Sequence, residues 1–145
     1  MCLNPPMRPI EARINRTALR GNLELLRARA SGAKIWAVVK ADAYGHGLAR
    51  LQTALQTADG LALLEMNAAI AARERGWGGP TLLLEGFFTA GEIPQFARHR
   101  LTSVIHHLEQ LAMLESTPLP STIDVYLKVN SGMNRLGVAL AKADE

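Results

Sequence analysis

The sequence predicts an α/β fold built from the first five βα units of a TIM-type (β/α)8 barrel, truncated before closure. Three observations carry this expectation. Short segments rich in Val, Ile and Leu alternate with stretches of helical periodicity, the pattern of βα units around a parallel sheet. The strand-like segments begin about 20–26 residues apart, which leaves room for one right-handed crossover each. No Gly-x-Gly-x-x-Gly follows the first of them, which disfavours the dinucleotide-binding form of the competing doubly wound open sheet. A complete barrel takes about 250 residues, or about 31 per unit, so 145 residues correspond to between four and five units.

Residues 1–8 read as an N-terminal extension, with Met7 as a second start-like methionine, and residues 9–145 as the partial barrel domain. Arg16 to Ala30 places Leu19, Leu23, Leu26 and Ala30 on one helical face, and Asn15 ahead of it is suited to accept from a first-turn amide. The first strand covers Lys34 to Lys40. Leu48, Leu51, Leu55 and Ala58 mark a helix from Leu48 to Ala58, and Gly60 to Leu64 is the next strand. Asn67 to Arg75 is an alanine-rich helix that stops at Gly76. After a strand over Thr81 to Leu84, Thr89 and Glu92 have the spacing of a capping box that opens a helix through Phe96 and Ala97. Leu101 to Ile105 is the fourth strand. His107 to Glu115 carries Leu108, Leu111 and Leu114 and ends before Pro118 and Pro120; the fifth strand spans Ile123 to Asn130. The first and fifth strands are expected to be open edges, which invites aggregation or pairing with another chain.

Composition narrows the function classes. Hydrophobic residues make up 48% and charged residues 20%, as in globular chains. Sixteen basic against 13 acidic residues leave a scattered excess of +3, too weak to argue for nucleic acid. Cys2 is the single cysteine, so neither an intrachain disulfide nor a cysteine metal cluster is expected, and a reducing cytoplasm fits. Met1 to Pro9 lacks the apolar run of a secretory signal, and no segment approaches the roughly 18–20 apolar residues of a membrane helix.

Two segments could carry chemistry. In Ala37-Val-Val-Lys-Ala-Asp-Ala-Tyr-Gly-His-Gly47 an apolar strand ends in Lys40, and a glycine-bounded loop follows. Lys40 shares strand parity with Trp36 and Val38, the face expected to form the barrel interior. At the C-terminal end of a barrel strand such a lysine points where barrel enzymes keep their active sites; it either reaches solvent or is chemically used. Desolvation would lower its pKa and free the amine for Schiff-base chemistry. In Val125-Tyr-Leu-Lys-Val-Asn-Ser-Gly-Met-Asn-Arg-Leu-Gly137 a second strand ends in Lys128, and a glycine turn presents Arg135. Arg135 has the planar fork to clamp a carboxylate or a phenolic oxygen, or is simply solvated. His46 lies in the first loop. His106 and His107 are adjacent, point differently and have no third ligand in view, so a metal site is not expected. His99 reads as surface, Phe96 and Met113 as core, and Glu65 and Glu85 as strand-end carboxylates with no proton-transfer partner.

The first segment resembles the pyridoxal-phosphate attachment motif of bacterial alanine racemases. Leu127 to Gly137 is similar to that family's second signature, and Leu82-Leu-Leu-Glu-Gly-Phe-Phe88 is also typical; the resemblance runs from about Arg8 to Val138. It implies an eight-fold βα barrel followed by a β-rich C-terminal domain, a homodimer, and racemisation of alanine that supplies D-alanine for peptidoglycan. It implies that Lys40 carries pyridoxal 5'-phosphate and serves as one of two bases, that Tyr44 contacts the cofactor phosphate, and that Arg135 binds the phenolic oxygen and the substrate carboxylate. Lys128 matches a lysine often carbamylated in the family, which orients that arginine. The opposite base in the family is a tyrosine from the partner subunit's C-terminal domain, and the arginine against the pyridine nitrogen lies beyond the fifth strand. The 145 residues alone are therefore expected to be inactive. The competing readings are a non-catalytic single-domain barrel that binds the same cofactor, and an inactive truncated product. The former lacks a loop like Tyr44 to Gly47.

Overall fold

The computed structural model describes residues 10–142; the extension read over 1–8 lies outside the described residues. Helix α1 (Arg16–Arg29) starts where expected, because the Asn15 side chain accepts from the Ala18 amide at 2.9 Å. Five parallel strands follow: β1 (Trp36–Val38), β2 (Gly60–Leu63), β3 (Thr81–Leu83), β4 (Thr102–Ile105) and β5 (Val125–Leu127). They are hydrogen-bonded in the order of the sequence, β1 to β5. A doubly wound sheet reverses its strand order at a switch point and places helices on both faces. Sequential order keeps every crossover on one side, so this is the winding of a βα barrel over its first five units.

Helices α4 (Met66–Glu74), α5 (Ile93–His99) and α6 (Leu108–Ser116) fill the crossovers after β2, β3 and β4. Leu61, Leu63, Leu83, Phe87, Ile93 and Phe96 are at most 1% exposed and form the centre of the core. Phe87 and Phe96 meet edge to face with centroids 5.7 Å apart. The register places Trp36, Val38, Ala62, Leu82, Thr102, Val104 and Tyr126 on the opposite, concave face; for Trp36 and Val38 this is the parity read from the sequence. Gly60 lies under Trp36: a Cβ there would stand 2.4 Å from the indole. Two polar side chains secure the helical layer. Gln52 donates to the carbonyls of Ala72 and Arg75, and Arg73 donates to those of Trp77, Gly79, His99 and Arg100.

Four elements differ from expectation. Strand β1 stops at Val38, and Lys40 belongs to the turn after it. The helix expected over Leu48 to Ala58 shortens to α3 (Leu48–Leu51) and a 3-10 turn (Gln52–Ala54), where the buried Gln52 amide turns towards α4. The Thr89–Glu92 capping box is present, but its first turn is 3-10 (Ala90–Glu92) before α5, whose first turn carries Pro94. The fifth strand breaks at Lys128, and β6 (Val129–Asn130) leaves the main sheet to pair with β7 (Val138–Ala139), a strand the sequence did not suggest.

Candidate active site at the strand ends

All four residues singled out by the sequence lie just beyond the C-terminal ends of the two edge strands. The last ladder bond on β1 is Val39 N–H to Ala62 O, at 2.8 Å. The chain then winds left-handedly through the α2 turn (Lys40–Tyr44): Ala41, Asp42, Ala43 and Tyr44 have φ between 51° and 55°. A left-handed turn costs about 1–2 kcal/mol per non-glycine residue, so the surroundings must enforce it. Backbone bonds close it from Ala43 N to Val39 O, Gly45 N to Ala41 O and Gly47 N to Asp42 O, each 2.9 Å. Outside the backbone, Asp42 Oδ1 accepts from Leu48 N at 2.7 Å, and His46 Nδ1 lies 2.9 Å from Ala43 O. Ala43 and Leu48 are 4% and 3% exposed and anchor the turn in the core. Lys40 is half-buried at the head of the turn, and Tyr44 is exposed at its end. An apolar cavity of about 340 Å³ flanks the turn between α1 and β1; Leu19, Leu23, Trp36, Val38 and Tyr44 are among its lining.

At the other edge, Lys128 is a junction. Its amide continues the β5 ladder onto Ile105 O, and its carbonyl accepts from Val138 N, both at 2.8 Å. The intervening loop carries Arg135, which is exposed, and is shaped by Asn130. Asn130 Oδ1 accepts from the amides of Gly132 and Asn134, and its Nδ2 donates to Asn134 Oδ1. Gly137, at φ 121°, lets the returning chain pass Asn130, where a Cβ would stand 2.7 Å from the backbone nitrogen.

The structure brings Lys40 and Tyr44 into one turn and Lys128 and Arg135 into one strand-loop-strand unit. The edges bearing them are linked through the concave face, where Trp36 and Tyr126 meet with ring centroids 6.3 Å apart. Ion pairs among the described residues are Arg13–Glu11, Arg27–Asp59 and Lys34–Asp59, so none of the four site residues is neutralised by a carboxylate. An amine, a phenol and a guanidinium without acidic partners suit a phosphorylated aldehyde bearing a phenolate: the amine can take the aldehyde carbon, and the donors can take anionic oxygens.

His106 and His107 have structural roles. His107 caps α6 by accepting from Glu109 N, and His106 Nε2 lies 3.1 Å from Glu85 O. Sequence reasoning passed over Gln110, which is 5% exposed. Its Nε2 donates to Glu85 O and Phe87 O, and its Oε1 accepts from His106 N, which joins the rims of β3 and β4. Its place three residues after His107, on a helix of leucines, was the available signal. Asp42 was passed over as well, although it stood inside the quoted motif.

The family model for the alanine racemase N-terminal domain matches residues 14–145. An alanine racemase of Janthinobacterium sp. (strain Marseille) is 56% identical over 135 residues, which are 93% of this chain and 38% of that protein. A catabolic alanine racemase of Klebsiella aerogenes is 52% identical over 130 residues, 90% of this chain and 36% of that protein. The crystal structure of the biosynthetic alanine racemase from Pseudomonas aeruginosa superposes with a TM-score of 0.82 at 39% identity, covering 86% of this chain and 35% of that one. The chain thus spans a little over a third of the length of these relatives.

Proposed function

The chain belongs to the alanine racemase family, matching its N-terminal domain, and on that premise we propose that it forms the cofactor-holding part of an enzyme that interconverts L-alanine and D-alanine with pyridoxal 5'-phosphate. One observation supports this most directly: Lys40 after β1 and the Lys128–Arg135 segment after β5 lie at the same ends of the two strands whose Trp36 and Tyr126 rings meet. Lys40 would hold the cofactor covalently through its Nζ, and Tyr44 would donate its hydroxyl to the phosphate. Arg135 would direct its fork to the phenolic oxygen and the substrate carboxylate, and Lys128, carbamylated or not, would orient Arg135. When bound, pyridoxal phosphate withdraws electrons from the substrate and acidifies its alpha proton.

Inverting the stereocentre requires proton exchange on both faces of a planar carbon, hence two bases. Lys40 Nζ serves one face. The other base, on the family pattern, comes from the C-terminal domain of a second copy, so the working form is a homodimer. Residues 1–145 by themselves would hold the cofactor without supporting turnover. The product, D-alanine, serves peptidoglycan synthesis.

The test is covalent mapping. The chain is mixed with pyridoxal phosphate and reduced with borohydride, and the modified peptide is identified by mass spectrometry. The label is expected on Lys40 and absent from Lys40→Ala. A label on other lysines that is unchanged in Lys40→Ala would remove Lys40 from the role.

A further inference from the structure

We infer that Asp42 is a positioning residue for Lys40: its carboxylate, bonded to the Leu48 amide, holds the left-handed turn on which the lysine is mounted. This rests on the reading of Lys40 given above. Three facts about the turn lead to it.

First, the turn is left-handed at four consecutive non-glycine residues, and two of them, Ala41 and Ala43, have no side-chain group that favours that region. Second, the backbone bonds that close the turn leave its hand open. Ala43 N to Val39 O and Gly45 N to Ala41 O both link residues four apart, the spacing that a right-handed turn also satisfies, and Gly47 N to Asp42 O spans five at the exit of the turn. The hand must therefore be imposed by something outside the turn. Third, Asp42 is the turn residue with a side-chain bond reaching beyond it. Its Oδ1 accepts from Leu48 N at 2.7 Å, and Leu48, 3% exposed, is fixed in the core. His46 Nδ1 contacts Ala43 O within the same loop and adds no bond outside it, and the buried Ala43 methyl packs in the core without a polar group that selects the hand. Asp and Asn also enter the left-handed region more readily than other residues with a Cβ, so Asp42 favours the turn both by its own conformation and by its bond.

The consequence for Lys40 is geometric. It stands two residues ahead of Asp42 and one after Val39, whose amide is held by Ala62. With β1 held on one side and Asp42 on the other, the direction in which Lys40 leaves the sheet is determined. Without the Asp42 bond the turn can relax towards the right-handed region, and the direction in which the lysine leaves the sheet is no longer fixed. The role needs an acceptor oxygen at position 42 and no negative charge.

The experiment compares wild type, Asp42→Ala, Asp42→Asn and Lys40→Ala in the full-length enzyme. Two quantities are read: the exchange rate of the Leu48 amide without cofactor, and the dissociation constant of pyridoxal phosphate followed by its absorbance on binding. Asp42→Ala is expected to speed Leu48 exchange at least tenfold and to weaken cofactor binding at least tenfold. Asp42→Asn keeps the acceptor oxygen and should stay within about threefold of wild type in both. Asp42→Ala with wild-type Leu48 exchange or wild-type cofactor affinity overturns the inference, and so does Asp42→Asn as impaired as Asp42→Ala. If Lys40→Ala binds cofactor like wild type, the assignment of Lys40 fails and the inference falls with it; that outcome is recognised without reference to the Asp42 variants. Should Asp42→Ala fail to fold, Asp42→Asn against wild type decides, since a loss there contradicts an acceptor-only role.

Discussion

Trp36 and Tyr126 stand on opposite edge strands of the five-stranded sheet, yet their rings meet edge to face at 6.3 Å and 90°. Contact between β1 and β5 requires the sheet to curl, and the small residues Gly60 and Ala62 on the concave face of β2 leave room for the indole. An aromatic pair of this geometry contributes about 0.5–1.5 kcal/mol beyond its buried area. A double-mutant cycle with Trp36→Ala and Tyr126→Ala, read by urea unfolding, should give a coupling in that range. Additive effects would show that the rings stabilise the sheet independently.

Arg135 is exposed on a loop shaped by Asn130, so replacing it should leave the fold intact. Arg135→Lys keeps the charge and loses the bidentate fork. In the full-length enzyme kcat should fall on the order of 10²-fold, while cofactor affinity falls less than tenfold. Wild-type kinetics in that variant would dismiss the carboxylate-clamp assignment.

Asp59 gives the molecule a defined acid sensitivity. The Ile35 amide bonded to its Oδ2 is the main cause that holds its carboxyl below the ordinary aspartate range; burial opposes this, and Arg27 and Lys34 add to the lowering. The folded value lies below the unfolded one, so the stabilisation is complete above the unfolded value of about 3.9 and is lost as pH falls through the folded value. Unfolding midpoints measured from pH 7 down to pH 2 should therefore drop in wild type, and Asp59→Asn should lack that part of the drop. Equal acid sensitivity in the two chains would clear Asp59 of the effect.

Arg73 is a structural counterpart in the helical layer. Burial is the main cause lowering its pKa, with Arg100 adding repulsion, and its guanidinium serves carbonyls at the ends of α5 and of the loop before β3. A lysine cannot reach four carbonyls from one planar group. Arg73→Lys should lower stability by about 1–3 kcal/mol by leaving carbonyls unpaired, visible as a melting temperature several degrees lower. An unchanged melting temperature would mean that water replaces those bonds.

Much of this was legible before the structure. Asn15, the Thr89–Glu92 box and Gly76 act as local punctuation, and they sit where their chemistry places them. The parity of Trp36 and Val38 was readable because strand alternation needs no partner to be counted. Alternation did not place Lys40 and Lys128: Lys40 lies in the turn beyond β1 and Lys128 at the break between β5 and β6. The role of Gln110 was hidden, since a glutamine on a leucine-rich helix declares no partner until Glu85 and Phe87 are brought beside it.

The sequence by itself determined the order of elements, the βα rhythm and the motif residues, because periodicity and capping act over a few neighbouring residues whose spacing is covalent. The tertiary structure alone decided three things. The hand of the Ala41–Tyr44 turn depends on Asp42 meeting a Leu48 amide that is itself held by core packing. The break of the fifth strand at Lys128 depends on Val138 returning to bond its carbonyl. The meeting of Trp36 with Tyr126, 90 positions later in the sequence, depends on the accumulated curl of four strand pairings. Each is set by a contact whose free energy is realised only after the chain has closed a loop, and local propensity carries no information about which loop closes.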